Sequence, residues 1–145
     1  PGSVLYFKPG TLVLVGYSST SPGSLHTMGT TTSPVTFKTV KGGPGSWQGV
    51  MLYGGNSTLN YLQITGGGLI NFQSVQSALY VDKTANIATS GTTISNSSGY
   101  GVYYYRTGTG CTTAAPDDFT YGAGISKCKF FCVDDNTGSG SCKKQ

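Results

Sequence analysis

Two short runs, Val50-Met51-Leu52 and Leu62-Gln63-Ile64, flank the turn-forming Gly54-Gly55-Asn56-Ser57 within the stretch from Trp47 to Ile64. Each run has one apolar and one mixed side, the period of two that marks a strand. The stretch predicts strand, turn, strand, and much of the chain aligns to it. Ala78-Leu79-Tyr80-Val81 repeats Gly49-Val50-Met51-Leu52 about 29 positions on, and Thr92-Thr93-Ile94 repeats Leu62-Gln63-Ile64 about 30 on. Gly101-Val102-Tyr103-Tyr104 is a third copy of the first run. Phe7, Phe37, Ile64 and Ile94 form one column at spacings of about 30, 27 and 30, with Phe130 as a fifth member.

A period of roughly 20 to 50 residues signals a solenoid, because one coil cannot bury its own apolar face and stacking completes the core. Units made of strands make it a β-solenoid. Alternation then points Val50, Leu52, Leu79, Val81, Val102 and Tyr104 inward and places Met51, Tyr80 and Tyr103 in a column outside. Upstream, Val4 to Phe7 reads as a strand, Pro9-Gly10 as a turn and Thr11 to Val15 as a second strand. Gly16 to Gly29 reads as a polar excursion anchored by Leu25 and Met28, and Val35-Thr36-Phe37 returns to strand. Lys41 to Ser46 can only be loop. Trp47 is expected to cap the core, and the Gly66-Gly67-Gly68 turn leads to Leu69 to Val75 and then to Ala78 to Val81. A β-sandwich is the alternative fold, since its short strands also recur with turn signals.

Composition supports strands over helices. The 145 residues contain 23 Gly, no Glu and only 10% charged residues, with abundant Ser and Thr, a mixture that suits strands and tight turns. The hydrophobic fraction of 37% argues against disorder. A net charge of +4 comes from scattered cations, dense only at Lys143-Lys144, so no basic stripe for nucleic acid is present. No run approaches the roughly 18 apolar residues of a membrane span. Without an initiating Met or a leader, the sequence reads as a processed product or an excised domain.

The series Ser33-Pro34-Val35-Thr36-Phe37, Pro44-Gly45-Ser46-Trp47-Gln48-Gly49-Val50, Ser57-Thr58-Leu59-Asn60-Tyr61-Leu62-Gln63-Ile64 and Ile94-Ser95-Asn96-Ser97-Ser98-Gly99-Tyr100-Gly101-Val102 resembles the right-handed parallel β-helix repeats of secreted and cell-surface microbial proteins. The likeness covers about residues 4 to 105. It implies an all-β, right-handed parallel β-helix of about five coils over residues 1–105, with residues 106–145 packed on or capping the solenoid. That family spans polysaccharide lyases and hydrolases, tail spikes and adhesins, so fold alone does not select a function.

Cys111, Cys128, Cys132 and Cys142 all lie in the last quarter of the chain. An even count fits two disulfides that brace the C-terminal segment and imply an oxidising, extracellular or cell-surface location. Of three pairings, Cys111 with Cys128 and Cys132 with Cys142 is preferred, since the latter closes only the polar loop Val133 to Ser141. The spacing is poor for zinc, and no other metal site or cofactor is expected.

Candidate chemistry is thin. Asp82, Asp117-Asp118 and Asp134-Asp135 are the only carboxylates of side chains, and they do not recur on successive coils as an acid and base pair would. His26 reads as a surface residue, and no catalytic residue is assigned. Asp82, Tyr80 and Tyr103 are the best candidates for contact with a glycan or a partner, because exposed aromatic faces stack on sugars or enter interfaces. Asn56-Ser57-Thr58 and Asn96-Ser97-Ser98 match the glycosylation acceptor pattern, which requires their turns to face solvent. Val4, Leu5, Tyr6 and Phe7 form a first strand with no covering helix, a bare edge that fits either a piece of a longer solenoid or a first coil covered by another subunit. The expected function is a structural, non-enzymatic subunit of a surface filament, appendage or adhesin, acting by head-to-tail self-assembly. The alternative is an extracellular protein that binds or cleaves polysaccharide.

Overall fold

The computed structural model describes residues 2–18, 20–71, 73–106, 119–127, 129–134 and 140–143, with residues 134 and 140–143 described by backbone alone. The first coil comprises β1 (Val4–Phe7), β2 (Leu12–Val15) and β3 (His26–Met28). The second comprises β4 (Val35–Thr39), β5 (Gly49–Leu52) and β6 (Asn56–Asn60), and the third β7 (Leu62–Thr65), β8 (Ser77–Val81) and β9 (Asn86–Ser90). Then follow β10 (Thr92–Ser95), β11 (Tyr100–Arg106), β12 (Phe119–Tyr121), β13 (Phe130–Asp134) and β14 (Gly140–Lys143). No helix occurs among the described residues.

These strands stack into three sides. Side one runs β1-β4-β7-β10-β12, side two β2-β5-β8-β11-β13 and side three β3-β6-β9, all paired parallel. Strand β14 alone turns back, pairing antiparallel with β13. The fold is a right-handed parallel β-helix, as expected. Five passes along side one amount to about four turns, slightly fewer than the five coils expected.

Each of the first three coils has three strands where the sequence predicts two. The segment taken as a turn contributes β6, whose pattern of exposed and buried positions places Ser57 and Leu59 inside. Its polar inner residue is accommodated because the Ser57 hydroxyl accepts a hydrogen bond from the Leu25 N–H at 3.0 Å. Likewise β3 turns Thr27 inward and Met28 outward, so Met28 is 76% exposed and anchors nothing. Leu25 does pack against the core.

The inner columns on side two are those expected. Val13, Val50, Leu79, Val102 and Phe130 stand in register, as do Val15, Leu52, Val81, Tyr104 and Cys132. On side one the register differs from the expected column at both ends. Leu5 opposes Phe37, which precedes Ile64, Ile94 and Tyr121. Phe7 instead pairs with Thr39 and stacks on Trp47, ring centroids 4.5 Å apart, while Phe130 belongs to side two. Trp47 is fully buried, and its indole N–H donates to the Thr65 carbonyl at 2.9 Å. Thr92 is buried too, its hydroxyl donating to the Leu59 carbonyl at 2.6 Å, so the interior gains a polar group without leaving it unpaired.

Corners demand left-handed backbone. Tyr61, between β6 and β7, has φ of 47°, and one coil later Gly91 has φ of 60° with the Tyr61 ring against it. A side chain at Gly91 would meet both the strain and the ring. Ahead of β8 the chain turns at Gln73 and Ser74, with Ser74 at φ of 58° and its N–H donating to the Asn71 carbonyl at 2.9 Å.

Stacked inner columns should make the fold sensitive to truncation there and indifferent to it outside. Ile64→Ala or Leu52→Ala is expected to cost about 2–5 kcal/mol through a cavity in a layer that cannot close. Gln63→Ala, on the exposed side of the same strand, should stay within about 0.5 kcal/mol. Denaturant unfolding of the three variants checks the register.

Candidate functional site

Outward alternation on side two aligns Leu14, Met51, Tyr80, Tyr103 and Phe131. This column lies outside the coil, yet its centre is not in water: Met51 is 0% and Tyr80 4% exposed. The loop between β7 and β8 supplies a cover, with Val75 packed against the cluster of Met51, Tyr53 and Tyr80. That loop is shaped by Asn71, whose Oδ1 accepts the N–H of Gln73 at 3.0 Å and of Val75 at 3.1 Å. The Asn71 N–H in turn donates to the Val75 carbonyl at 3.1 Å.

Beside the cover the aromatic rings continue as a ladder. Tyr53 and Tyr80 are 5.8 Å apart between centroids, Tyr80 and Tyr103 5.7 Å at 11°, Tyr103 and Phe131 5.4 Å, and Phe131 stacks on Tyr100 at 4.6 Å. Because the rings face one another, what Tyr80 and Tyr103 can offer a ligand is their edges and hydroxyls. Tyr105, two positions beyond Tyr103 on the same side, has the Lys83 ammonium 5.3 Å from its ring centre.

A cleft of about 390 Å³ opens here, lined by Gln73, Val75, Tyr80, Asp82, Tyr103 and Tyr105. Asp82 lies just past the end of β8 and is 8% exposed. Its Oδ1 accepts from the Thr84 N–H at 3.0 Å and hydroxyl at 2.7 Å, and the Thr84 hydroxyl oxygen accepts the Gly54 N–H at 3.1 Å. The carboxylate is thus fixed by a turn that also ties one coil to the next.

Burial pushes the Tyr80 phenol far above its ordinary range, reinforced by Tyr53 and by the negative charge of Asp82. Burial likewise raises Tyr53 and Tyr103. These hydroxyls therefore stay protonated and serve as hydrogen-bond donors and acceptors, not as bases.

The three contact residues singled out in the sequence, Tyr80, Tyr103 and Asp82, line this one cleft. Tyr105, from the dense run of tyrosines between positions 100 and 105, joins them, whereas Gln73 and Val75 carry no signal in the sequence. Asn56 and Asn96 are both exposed, although Asn56 begins a strand and Asn96 occupies a left-handed turn at φ of 51°. Val4, Leu5 and Tyr6 are exposed and Phe7 is partly buried. Cys132 is buried and is not a free thiol. Cys111 and Cys128 lie outside the described residues, as does the side chain of Cys142, and so do the pairings expected for them. His26 is exposed on β3. Among the described residues no group of His, Cys, Asp or Glu could hold a metal ion, and no helix is long and apolar enough to cross a membrane.

No family model, no curated protein and no solved structure matches the chain. The cleft must be read from its own chemistry.

The raised phenols fix a dependence on alkali. Unfolded tyrosines ionise near pH 10, whereas those held neutral by burial keep their protons in the fold, so the unfolded chain binds fewer protons above that pH. Stability is therefore full below about pH 10 and falls as pH rises further. Tyr80→Phe should flatten that fall, measured as the unfolding midpoint between pH 8 and 12; an unchanged slope would contradict the buried state of this phenol.

Proposed function

We propose that the chain is an extracellular structural protein of the right-handed parallel β-helix repeat type, which acts by contact and self-assembly through its first coil. The observation that carries this reading is where large apolar side chains meet solvent. Among the described residues, Val4, Leu5, Tyr6, Leu14, Tyr17 and Met28 are exposed in the first coil, and only Val40 and Ile70 elsewhere. Apolar exposure gathered at one end marks a contact surface rather than ordinary scatter.

Backbone chemistry supports the same end. Strands β1, β2 and β3 each stand last in their sheet among the described strands, and an unpaired edge is a template for another strand. The occupant that fits an in-register parallel edge is the far end of a second copy, laid head to tail. Such a contact is heterologous and propagates as a filament instead of closing. Five layers, each 4.7–4.9 Å thick, set an axial repeat of about 24 Å per subunit, lengthened if β14 intervenes. The location is supported by the cysteines: Cys132 is not a free thiol, and disulfides persist in oxidising compartments. A disulfide brace for the C-terminal segment belongs to the same proposal.

Sedimentation at rising concentration, with electron microscopy of the pellet, tests this reading. Assembly that grows with concentration and repeats at about 24 Å is the expected result. Leu5→Asp, at a position 42% exposed, should abolish assembly while leaving the thermal midpoint within a few degrees. Protein that stays monomeric at millimolar concentration, or that assembles equally well with Leu5→Asp, would overturn it.

A further inference from the structure

From the geometry we infer that the side-two cleft is a binding site for a neutral saccharide, held by Asp82, Gln73 and the phenol edges of Tyr80 and Tyr103. Its volume of about 390 Å³ falls within the roughly 300–1,000 Å³ of small-ligand sites and admits about one or two sugar rings. The anchor is Asp82. It is 8% exposed and lines the cleft, and while Oδ1 is taken by Thr84, Oδ2 has no hydrogen bond among the described residues. A carboxylate fixed through one oxygen holds the other as a positioned acceptor for a ligand hydroxyl.

The choice of ligand class follows from what surrounds that oxygen. A carboxylate only accepts, so it pairs with ligand hydroxyls and repels a uronate or sulfate. An organic cation would want open aromatic faces around it. Tyr80 and Tyr103 turn their faces toward each other, and the Tyr105 ring already carries the Lys83 ammonium at 5.3 Å. What remains is a line of hydroxyl, amide and carboxylate groups beside the apolar Val75, and this alternation matches the hydroxyls and C–H faces of a neutral sugar. The phenols suit this role because burial keeps Tyr80 and Tyr103 protonated, able both to donate and to accept.

The test is a glycan array carrying neutral hexose and pentose oligomers, polyuronate oligomers and chitosan oligomers, followed by titration calorimetry of the strongest binder. Binding of neutral oligomers, with polyuronates at least tenfold weaker, is expected. Asp82→Asn keeps an oxygen for Thr84 but replaces the charged acceptor, and should weaken binding at least tenfold. Gln73→Ala changes an exposed loop residue and should weaken it severalfold even if the Asp82 variant fails to fold. No binding to any neutral oligomer, preference for polyuronate or chitosan, or full affinity in Gln73→Ala together with folded Asp82→Asn would each overturn the proposal.

Discussion

Side-to-side stacking of identical inner positions is the interaction on which this structure depends. One coil presents Val50 and Leu52 to the next coil's Leu79 and Val81, which present themselves to Val102 and Tyr104. Each buried side chain of that size contributes about 1.5–3 kcal/mol only if the neighbouring layer meets it in register. A slip of one residue would turn the whole column to the outside. Parallel ladders on three sides hold the layers at one spacing, and the turn from Asp82 to Thr84, reaching back to Gly54, fastens a corner of one coil to the corner before it.

The same constraint explains how an outer face becomes a site. Residues between the inward positions of side two must point away from the core, so Met51, Tyr80 and Tyr103 stack into a column of their own. A regular coil would leave them in water. Here the connection from β7 to β8 is long enough to fold back, and Asn71 closes it into a compact loop that covers Met51 and part of Tyr80. Where the cover stops, a cleft remains. Function on a solenoid thus comes from irregular connections set on a regular frame.

Much of this frame is legible in the sequence because hydrophobic alternation and a recurring spacing report the same register. The distance of about 29 residues from Val50 to Leu79 is the register found on side two. Side three is not legible, since its inner positions mix Leu59 with the polar Thr27 and Ser57, which are reconciled with the interior by hydrogen bonds to distant backbone. The offset on side one has a different cause. Leu5 and Phe7 lie two positions apart on the same side of β1, so alternation cannot decide which of them opposes Phe37. At the site, Tyr80, Tyr103 and Asp82 follow from the repeat, whereas Gln73 and Val75 reach the cleft through a loop whose path depends on the Asn71 side chain. No local pattern encodes that path.

Backbone contacts between coils provide the most direct test of the central claim, that sequence-distant strands stack parallel and in register. The outer line of side one offers Thr36, Gln63, Thr93 and Thr120 as consecutive partners. Nuclear magnetic resonance of labelled protein should give cross-strand contacts between amide and α protons along this line, linking Thr36 to Gln63, Gln63 to Thr93 and Thr93 to Thr120. Close contacts between α protons of strands adjacent in sequence, such as β5 with β6, would show an antiparallel sandwich and contradict the solenoid.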